Sequence, residues 1–298
     1  MTQPFINTIK NMGKGKTSFI NKQNIHTNIF VCYHKPSFVI ENPILIPIHV
    51  GKSLSSANLN FIGDDTGDNI SNKNKYFCEL TALYWIWKNV EKDIVGLFHY
   101  RRYLNLRTTK DIFHSINDKF SIEYGITDAN IQDILSQYDI ILPQKLHVKK
   151  YSIYEIYKKG HVASDYDLVL DIIKEKYPEM YDAAVNVSKG HYMYIANMLI
   201  CKKELFNKYA SWLFDILFEV EKRIQQDVLT RDDYQQRVYG FLSERLMNVF
   251  ISYHSELKVK EVPLLFYEEN EKKYKKARRK KFIRNVKHKL LSIFGIGK

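Results

Sequence analysis

The sequence predicts an α/β fold in which a mostly parallel sheet is flanked by helices. Short apolar runs typical of buried strands alternate along the chain with longer segments whose apolar residues recur at helical spacing. Because the strand runs are apolar at successive positions, they are typical of parallel strands that helices cover on both faces. With 298 residues, of which 45% are hydrophobic, the chain is long enough to bury a large core.

The predicted strands are apolar runs bounded by turn-forming or charged residues, and they cover residues 29–35, 44–50, 95–99, 139–143, 192–201 and 259–266. Pro36 ends the first run. Pro47 interrupts the second run, and an edge strand is expected there because proline cannot donate a backbone hydrogen bond. Residues 51–74 are rich in Gly, Asn, Asp and Ser and predict a loop.

The predicted helices follow the 3.6-residue period of apolar side chains, and they cover residues 76–90, 127–138, 164–187, 204–226 and 232–254. The third of these is expected to break near Pro178. Ser152 and Glu155 fit a capping box, in which each side chain bonds the backbone amide of the other residue. A short helix is therefore expected to begin at Ser152.

Cysteine usage and the start of the chain indicate a cytoplasmic protein. Cys32, Cys78 and Cys201 are odd in number and scattered, with neither metal-ligand spacing nor a disulfide framework. Residues 1–27 read as a loose lead-in, and their first part lacks the apolar core of a signal peptide. No apolar run approaches the roughly 20 residues needed to span a bilayer.

The net charge of +12 is concentrated at one end of the chain. Residues 272–298 contain twelve Lys or Arg and no Asp or Glu. Removing these twelve from the 45 Lys and Arg of the chain leaves 33, which equals the number of acidic residues. A nucleic-acid enzyme more often spreads positive charge over its working face, so no nucleic-acid partner is expected.

Apolar side chains accompany the end of the basic run at helical spacing, namely Phe282, Ile283, Val286, Leu290, Ile293 and Phe294. A C-terminal basic amphipathic helix of this kind lies in the membrane interface and is attracted to anionic lipid. The sequence therefore predicts a lead-in over residues 1–27, a main domain over 28–267 and a membrane-association tail over 268–298. The protein is then peripheral on the inner face of the cell membrane. Nucleic-acid binding by the tail, or a solvated and partly disordered end, are the alternatives.

The most informative segment is the end of the third predicted strand, where His99, Tyr100, Arg101 and Arg102 follow an apolar run. In open α/β sheets, ligands bind just outside the carboxyl ends of the strands. Arginine presents a rigid fork of donors to phosphate oxygens, tyrosine can stack or donate, and histidine can donate or titrate. The cluster indicates a phosphate-bearing ligand such as a nucleoside diphosphate. A surface salt-bridge cluster after an ordinary strand is the alternative.

Several motifs in order along the chain carry a family resemblance: FVCYHKP (30–36), PIHVG (47–51), GDDTGDNIS (63–71), CELTALYW (78–85), GLFHYRRY (96–103), NMLI (197–200) and RVYGFLSERL (237–246). Together they resemble a bacterial family of capsular and exopolysaccharide glycosyltransferases whose core is a numbered domain of unknown function. The resemblance covers roughly residues 28–267, which are therefore expected to form a glycosyltransferase domain with a GT-A-like, and so Rossmann-like, sheet.

The resemblance implies transfer of a sugar from a nucleotide-sugar donor during the synthesis of a surface polysaccharide. A UDP-linked donor is expected, with galactose in its pyranose or furanose form as the sugar, and a polyprenyl-diphosphate-linked glycan as the acceptor. The expected enzyme is an inverting hexosyltransferase. A retaining transferase is one alternative, and a non-catalytic sugar-nucleotide-binding or assembly subunit of the polysaccharide machinery is another.

In ordinary GT-A enzymes the corresponding strand ends in Asp-x-Asp, which holds a divalent metal against the donor diphosphate. This chain has Arg101 and Arg102 there instead. The two arginines are expected to replace the metal partly or wholly, because they place positive charge where the leaving group becomes negative. Asp64, Asp65 and Asp68 form the other polar cluster. They could hold Mg²⁺ or Mn²⁺, since hard cations prefer oxygen ligands. Binding of sugar hydroxyls, or capping of the following helix, are the alternatives.

Four further residues are expected at the donor. His34 and Lys35 end the first strand, where a GT-A sheet receives the nucleotide base and ribose, and His49 ends the second apolar run. Plain strand-end residues are the alternative for these three. Asn197 interrupts an apolar run, and because a buried amide must find partners, a donor sugar is one candidate.

The last long helix carries polar residues on one face. Arg237, Gly240, Phe241 and Glu244 are spaced i, i+3, i+4 and i+7. The glycine permits close approach of a ligand or of a neighbouring backbone. Arg237 and Gly240, with Glu79 on an otherwise apolar helix, are expected to contact the acceptor or to serve a structural role.

A general base is needed to deprotonate the acceptor hydroxyl in a single-displacement inversion. Glu244 is the first candidate for this base, and Asp232 and Asp233 are the alternatives. The competing interpretation is a buried Arg–Glu pair that locks the helix to the sheet.

Overall fold

The computed structural model describes residues 26–107, 112–114, 120–148 and 150–267. Residues 1–25 of the predicted lead-in and the whole predicted tail lie outside the described residues. In the described part of the chain, no helix combines the length and the apolar character needed to cross a membrane.

The strands within the described residues are β1 (Thr27–Tyr33), β2 (Leu45–His49), β3 (Ile62–Gly63), β4 (Ile94–His99), β5 (Arg102–Leu104), β6 (Ile112–His114), β7 (Ile140–Pro143), β8 (Leu146–His147), β9 (Tyr192–Met193), β10 (Leu199–Lys202), β11 (Val259–Val262) and β12 (Leu264–Tyr267). The helices are α1 (Asn74–Phe77), α2 (Leu80–Asn89), α3 (Phe120–Glu123), α4 (Asp128–Gln137), α5 (Ile153–Gly160), α6 (Ala163–Lys176), α7 (Tyr181–Lys189), α8 (Lys203–Val228) and α9 (Val238–Tyr253).

One large sheet organises the fold, with the strand order β11-β7-β10-β4-β1-β2-β3 along its main path. Strands β3, β2, β1 and β4 pair in parallel, as do β11 and β7. Strand β10 is antiparallel to both of its neighbours. The hairpin strand β5 continues the sheet from β4 to β12, and β12 pairs with β6. The prediction of a mostly parallel sheet is confirmed.

Strand β1 shows how helices cover the sheet on both faces. Phe30 and Cys32 belong to the larger core, which includes the buried sides of α2, α8 and α9. Ile29, Val31 and Tyr33 alternate with them and belong to a second core on the opposite face, which includes the buried side of α4. All five side chains are at most 4% exposed. Burial on both faces explains why the strand is apolar at successive positions.

Local signals for helix ends agree with the structure. Ser152 and Glu155 form the predicted capping box at the start of α5. The helix predicted over residues 164–187 is broken at Pro178 into α6 and α7. Thr127 caps α4 by accepting a hydrogen bond from the backbone N–H of Asn130.

The prediction of one continuous helix over residues 76–90 is wrong, because the helical conformation is interrupted at Cys78. This residue has φ 52° and ψ −131° and separates α1 from α2. Its carbonyl accepts hydrogen bonds from Asn74 Nδ2 at 2.7 Å and from Thr81 Oγ1 at 3.1 Å. These side-chain bonds hold a backbone conformation that L residues rarely adopt.

The strand predicted over residues 192–201 is also wrong as a continuous element. Ala196 and Asn197 have φ values of 75° and 49° and lie between β9 and β10. Extended strands require negative φ, so the apolar run makes a turn here. This turn at 196–197 is called the β9–β10 turn below.

Three other elements differ from their predicted positions or bounds, and two prolines and a capping aspartate explain the differences. Strand β2 is not at the edge, because β3 pairs beyond it, although only with residues that follow Pro47. Pro263 divides the last predicted strand into β11 and β12. The helix predicted over residues 232–254 begins at Val238, because Asp232 Oδ1 accepts the backbone N–H groups of Tyr234 and Gln235 and forms a turn.

Candidate functional site

A cavity of about 1030 Å³ opens at the carboxyl ends of β1 and β4. Strand-end residues and the β4–β5 turn line it on the side of the sheet, and α1, α9 and the segment before α9 line it on the side of the helices. Ligands of open α/β sheets bind at this edge. The cavity is therefore the candidate site, and it is called the strand-end cavity below.

Two arginines line this cavity from a tight hairpin. His99 pairs with Arg102 across β4 and β5, so Tyr100 and Arg101 form the two-residue turn between them. The guanidinium of Arg101 lies 4.9 Å from the centre of the Tyr100 ring, where the negative ring face favours a cation. Among the described residues, no carboxylate forms an ion pair with Arg101 or Arg102. Both positive charges are thus available to an anionic ligand.

His34 and Lys35 extend from β1 beside the same turn. The His34 ring meets the Tyr100 ring edge-on at 5.3 Å, and Lys35 Nζ lies 5.8 Å from that ring. Burial lowers the pKa of His34, and the nearby charges of Lys35 and Arg101 lower it further. His34 is therefore neutral near pH 7 and can bind a ligand without adding charge. His34 lines the cavity, whereas Lys35 lies beside it.

His99 is anchored to the β9–β10 turn. Its Nε2 donates to the carbonyl of Ala196 at 2.7 Å, so this nitrogen carries the proton, since a carbonyl can only accept. Burial lowers the pKa of His99, against the opposing effect of Glu79. The imidazole is therefore held neutral and in one orientation at the cavity wall.

Glu244 lines the cavity from α9 and is held by two donors. Its Oε1 accepts the backbone N–H of Ala196 at 2.8 Å, and its Oε2 accepts Arg245 Nη1 at 3.1 Å. Burial raises the pKa of Glu244, as does nearby Glu79, and the two donors only partly oppose this. A carboxylate with a raised pKa is a stronger proton acceptor, which is what a general base requires.

Arg237 does not pair with Glu244, contrary to the competing interpretation of the helix stripe. Its Nε donates to Cys78 Sγ at 3.2 Å. Burial raises the pKa of Cys78 to about 11, so the thiol is neutral and does not compensate the charge of Arg237. A Cβ on Gly240 would lie only 3.3 Å from Cys78 Sγ. Gly240 therefore permits the Cys78 turn to pack closely against α9, and it also lines the cavity.

Asn197 connects the β9–β10 turn to the cavity wall. Its Nδ2 donates to Glu79 Oε1 at 2.7 Å, and its Oδ1 accepts Ser243 Oγ at 3.0 Å. Asn197 is 3% exposed and does not line the cavity, whereas Glu79 does. The buried amide thus finds its partners within the protein and fixes Glu79 at the wall.

Replacement of Asn197 tests this arrangement. The Asn197→Gly variant is expected to lower the free energy of unfolding by about 2–3 kcal/mol, because the Glu79 carboxylate loses its buried amide donor. Ser243 Oγ keeps the carbonyl of Gly240 as an acceptor. Asn197→Ala is expected to cost about 1–2 kcal/mol more, because its Cβ strains a positive φ. Urea denaturation measures both values. Equal stability of the two variants would contradict the strain argument, and wild-type stability of Asn197→Gly would contradict the hydrogen-bond argument.

The acidic loop lies away from the cavity. Asp64 is fully buried and accepts the backbone N–H groups of Gly51 at 2.8 Å and Lys52 at 3.1 Å, together with the hydroxyl of Ser71. Its carboxylate therefore ties the loop to the end of β2. His49 at that strand end is 1% exposed and also lies outside the cavity lining.

The other two loop aspartates differ from Asp64. Asp65 is exposed, and Asp68 accepts the hydroxyl of Tyr84 at 3.0 Å. Within the described residues, no group of three or more His, Cys, Asp or Glu side chains is arranged to hold a metal ion. Because Asp64 is already engaged by three donors, the loop does not fit the predicted alternative of a divalent-cation site.

The alternative bases Asp232 and Asp233 differ in position. Asp232 caps the turn before α9 and does not line the cavity. Asp233 does line it, but its side chain is 92% exposed and lies 3.2 Å from Lys75 Nζ at the rim. Of the three candidate bases, Glu244 is the one that both lines the cavity and is largely shielded from solvent, with its side chain 25% exposed.

Several lining residues were absent from the sequence predictions. Cys78, His161, Tyr234 and Arg245 all line the cavity. His161 follows α5, more than 70 positions before Tyr234, and no spacing in the sequence links them. Arg245 directly follows Glu244 and could have been recognised as its ion-pair partner.

Comparison with known proteins places the chain in a family. Residues 28–255 match the model of a domain of unknown function, DUF4422. The chain therefore belongs to this family. No curated protein matches the chain.

A solved structure is similar to this fold. It is described as the apo structure of WbbM, a bifunctional glycosyltransferase, and it matches with a TM-score of 0.77 and 34% sequence identity. The match covers 82% of this chain and 45% of that one, so this chain spans less than half of the length of WbbM. The mostly parallel sheet flanked by helices is a GT-A-like glycosyltransferase fold, as predicted.

Proposed function

We propose that this protein is a glycosyltransferase that transfers a hexose from a nucleotide-sugar donor to a glycan acceptor. One observation carries the proposal: the strand-end cavity of a GT-A-like fold joins two arginines that pair with no carboxylate of the described residues to a half-buried glutamate with a raised pKa. The arginines suit a diphosphate, and the glutamate suits an acceptor hydroxyl. The similarity to a bifunctional glycosyltransferase at 34% identity supports the same function.

Charge placement defines the proposed donor site. Arg101 and Arg102 bind the diphosphate, and Tyr100 and His34 lie where the nucleoside follows. As the bond between the sugar and the diphosphate breaks, negative charge develops on the leaving oxygen. The fixed guanidinium groups stabilise this charge without reorganising, which lowers the barrier. The proposed donor is UDP-linked, and the proposed sugar is galactose.

Glu244 is the proposed general base. It removes the proton of the acceptor hydroxyl, the oxygen then attacks the anomeric carbon, and the nucleoside diphosphate leaves with the electron pair of the broken bond. The hydrogen bonds to Ala196 and Arg245 orient the carboxylate during this step. Since a single displacement occurs at the anomeric carbon, the configuration inverts. A carboxylate that instead attacked the sugar would make the enzyme a retaining transferase.

A nucleotide panel tests the donor site. Thermal unfolding is measured with UDP, GDP, CDP and TDP, each in EDTA and each with Mn²⁺. A ligand that binds the folded state raises the melting temperature. We expect UDP to give the largest rise, and we expect the rise to persist in EDTA. A rise seen only with Mn²⁺ would contradict the arginine-based site, and no rise with any nucleotide would contradict donor binding.

Residues 28–267 are the proposed catalytic domain, and 268–298 the proposed membrane attachment. A polyprenyl-diphosphate-linked acceptor lies at a membrane surface, so attachment would bring the cavity to its substrate. The protein would then work as a peripheral protein on the inner face of the cell membrane, in capsular or exopolysaccharide synthesis. The support for this part is the composition of the tail, with twelve basic residues over 272–298.

Removal of residues 272–298 is expected to abolish sedimentation of the protein with anionic lipid vesicles. Each basic residue near such a surface contributes about 1 kcal/mol, so the loss should be nearly complete at moderate salt. Neutral vesicles are the control and should bind neither form. Equal sedimentation of the full-length and truncated proteins with anionic vesicles would contradict membrane attachment by the tail.

A further inference from the structure

Three aromatic rings stack at the helix side of the strand-end cavity. His161 lies 4.0 Å from Phe241, with 29° between the ring planes, and 5.7 Å from Tyr234, with 19° between the planes. Tyr234 and Phe241 are 5.1 Å apart. All three residues line the cavity. They are called the aromatic platform below.

The exposure of the platform distinguishes it from the core. Tyr234 is 53% exposed, whereas six tyrosines of the fold, such as Tyr209 and Tyr239, are less than 2% exposed. His161 and Phe241 are half-buried. Folding therefore leaves one exposed ring and two partly accessible rings inside the cavity, where a ligand can pack against them.

Polar groups surround the platform. Asp233 and Lys75 form a 3.2 Å ion pair at the rim, and the Arg237 guanidinium lies 5.6 Å from the centre of the Phe241 ring. Burial lowers the pKa of His161 to about 4, helped by the charge of Arg245. The His161 ring is thus neutral near pH 7, and the platform presents flat uncharged faces with charged donors and acceptors at their edges.

This combination matches the chemistry of a sugar ring. A pyranose presents C–H groups on its faces and hydroxyl groups around its periphery. The C–H face packs on an aromatic ring, and the hydroxyls bond charged groups beside it. Phe241 also precedes Glu244 by three residues on α9, so the two side chains are neighbours on one helix face. A sugar on Phe241 would bring a hydroxyl towards the glutamate.

We propose that His161, Tyr234 and Phe241 form a saccharide subsite that holds a pyranose ring of the acceptor glycan, with Asp233 and Lys75 bonding its hydroxyls. The acceptor role rests on the proposed glycosyltransferase function. The platform lies on α9, in the segment before it and just after α5, whereas Arg101 and Arg102 lie on the β4–β5 hairpin. Donor and acceptor would therefore enter the cavity from its two different walls.

Saturation-transfer NMR with the full-length protein tests the subsite, with lactose, cellobiose, maltose and chitobiose as probes. We expect at least one disaccharide to receive saturation on its ring C–H groups. Tyr234→Ala should weaken that binding by about 3- to 10-fold, in the range measured for aromatic contacts, and Tyr234→Phe should retain it. The matched control is Tyr192→Ala, because Tyr192 is 58% exposed and stacks on His147 at 4.4 Å outside the cavity.

Thermal shifts with UDP separate this proposal from the proposed function. We expect Tyr234→Ala and Tyr192→Ala to keep the wild-type UDP shift. No saturation of any disaccharide by the wild type, or equal binding by Tyr234→Ala, would overturn the subsite. Loss of the UDP shift in Tyr234→Ala would overturn it too, because the platform would then hold the nucleobase. Disaccharide binding without any nucleotide shift would support the subsite and contradict the transferase.

Discussion

Replacing Arg101 or Arg102 with alanine is expected to weaken the binding of a nucleoside diphosphate by about 10- to 100-fold. Each substitution removes charge-assisted hydrogen bonds to phosphate, which are worth about 1.5–3 kcal/mol. Since no described carboxylate pairs with either guanidinium, the loss reports on the ligand rather than on a broken ion pair. Isothermal titration of UDP measures the effect, and the double variant should show no measurable binding.

Two control variants separate specific contacts from general charge. Arg101→Lys keeps the positive charge but loses the planar fork, so an intermediate loss of affinity is expected. Lys189→Ala removes one exposed charge at the end of α7, outside the cavity lining, and should leave the affinity unchanged. Wild-type affinity in both alanine variants would show that the diphosphate binds elsewhere.

Glu244→Gln is expected to lower kcat by about 10²- to 10⁴-fold, the usual contribution of a general base. The glutamine oxygen can still accept the backbone N–H of Ala196. Arg245 Nη1 loses the Oε2 acceptor but still donates to the carbonyl of Phe241, so the α9 wall should keep its geometry. It cannot accept the proton of the acceptor hydroxyl. Steady-state release of nucleoside diphosphate measures kcat, and the UDP affinity of the variant should remain at the wild-type value.

The pH profile of the same reaction gives an independent test. A general base works only when deprotonated, so the rate should fall as the pH is lowered through the pKa of Glu244. Because burial raises that pKa, the fall should begin at a higher pH than for an ordinary carboxylate. The acid limb should disappear in Glu244→Gln. Asp233→Asn should retain the acid limb, even if weaker binding of the acceptor raises KM, and loss of the limb in that variant would transfer the role to Asp233.

The parts of the fold that local patterns determine could be predicted from the sequence. Apolar runs predicted β1, β4 and β7, and the Ser152–Glu155 pair predicted the start of α5. Helical periodicity predicted that Arg237, Gly240, Phe241 and Glu244 share a face, and all four line the cavity. These predictions succeeded because the interactions that decide them lie within a few residues of one another.

Strained turns could not be predicted in this way. Cys78, Ala196 and Asn197 adopt positive φ without being glycine. The conformations of Ala196 and Asn197 depend on partners distant in sequence, Glu244 at Ala196 and Ser243 at Asn197. Cys78 is held by its near neighbours Asn74 and Thr81, but no sequence pattern marks this arrangement as a turn. The apolar run over residues 192–201 therefore predicts one strand, although hydrogen bonds to α9 divide it into β9 and β10.

The acidic loop and the aromatic platform show the same limit at the site. The loop aspartates have the composition of a cation site, but Asp64 is engaged by the end of β2. His161 and Tyr234 belong to separate segments that meet only in the folded chain. The function of a side chain depends on which neighbours the fold supplies, and residue type alone does not determine these.

Sugar transfer itself is the most direct measurement of the central claim. Full-length protein, membranes from cells that produce the native polysaccharide, and a panel of radiolabelled nucleotide sugars are incubated in EDTA, and label in the lipid fraction is counted. Wild-type protein should transfer label from one donor, with UDP-galactose the first choice, while Glu244→Gln and the Arg101→Ala/Arg102→Ala double variant should not. Equal labelling by wild type and Glu244→Gln, or no labelling from any donor when Mn²⁺ is also supplied, would contradict a glycosyltransferase that works through these residues.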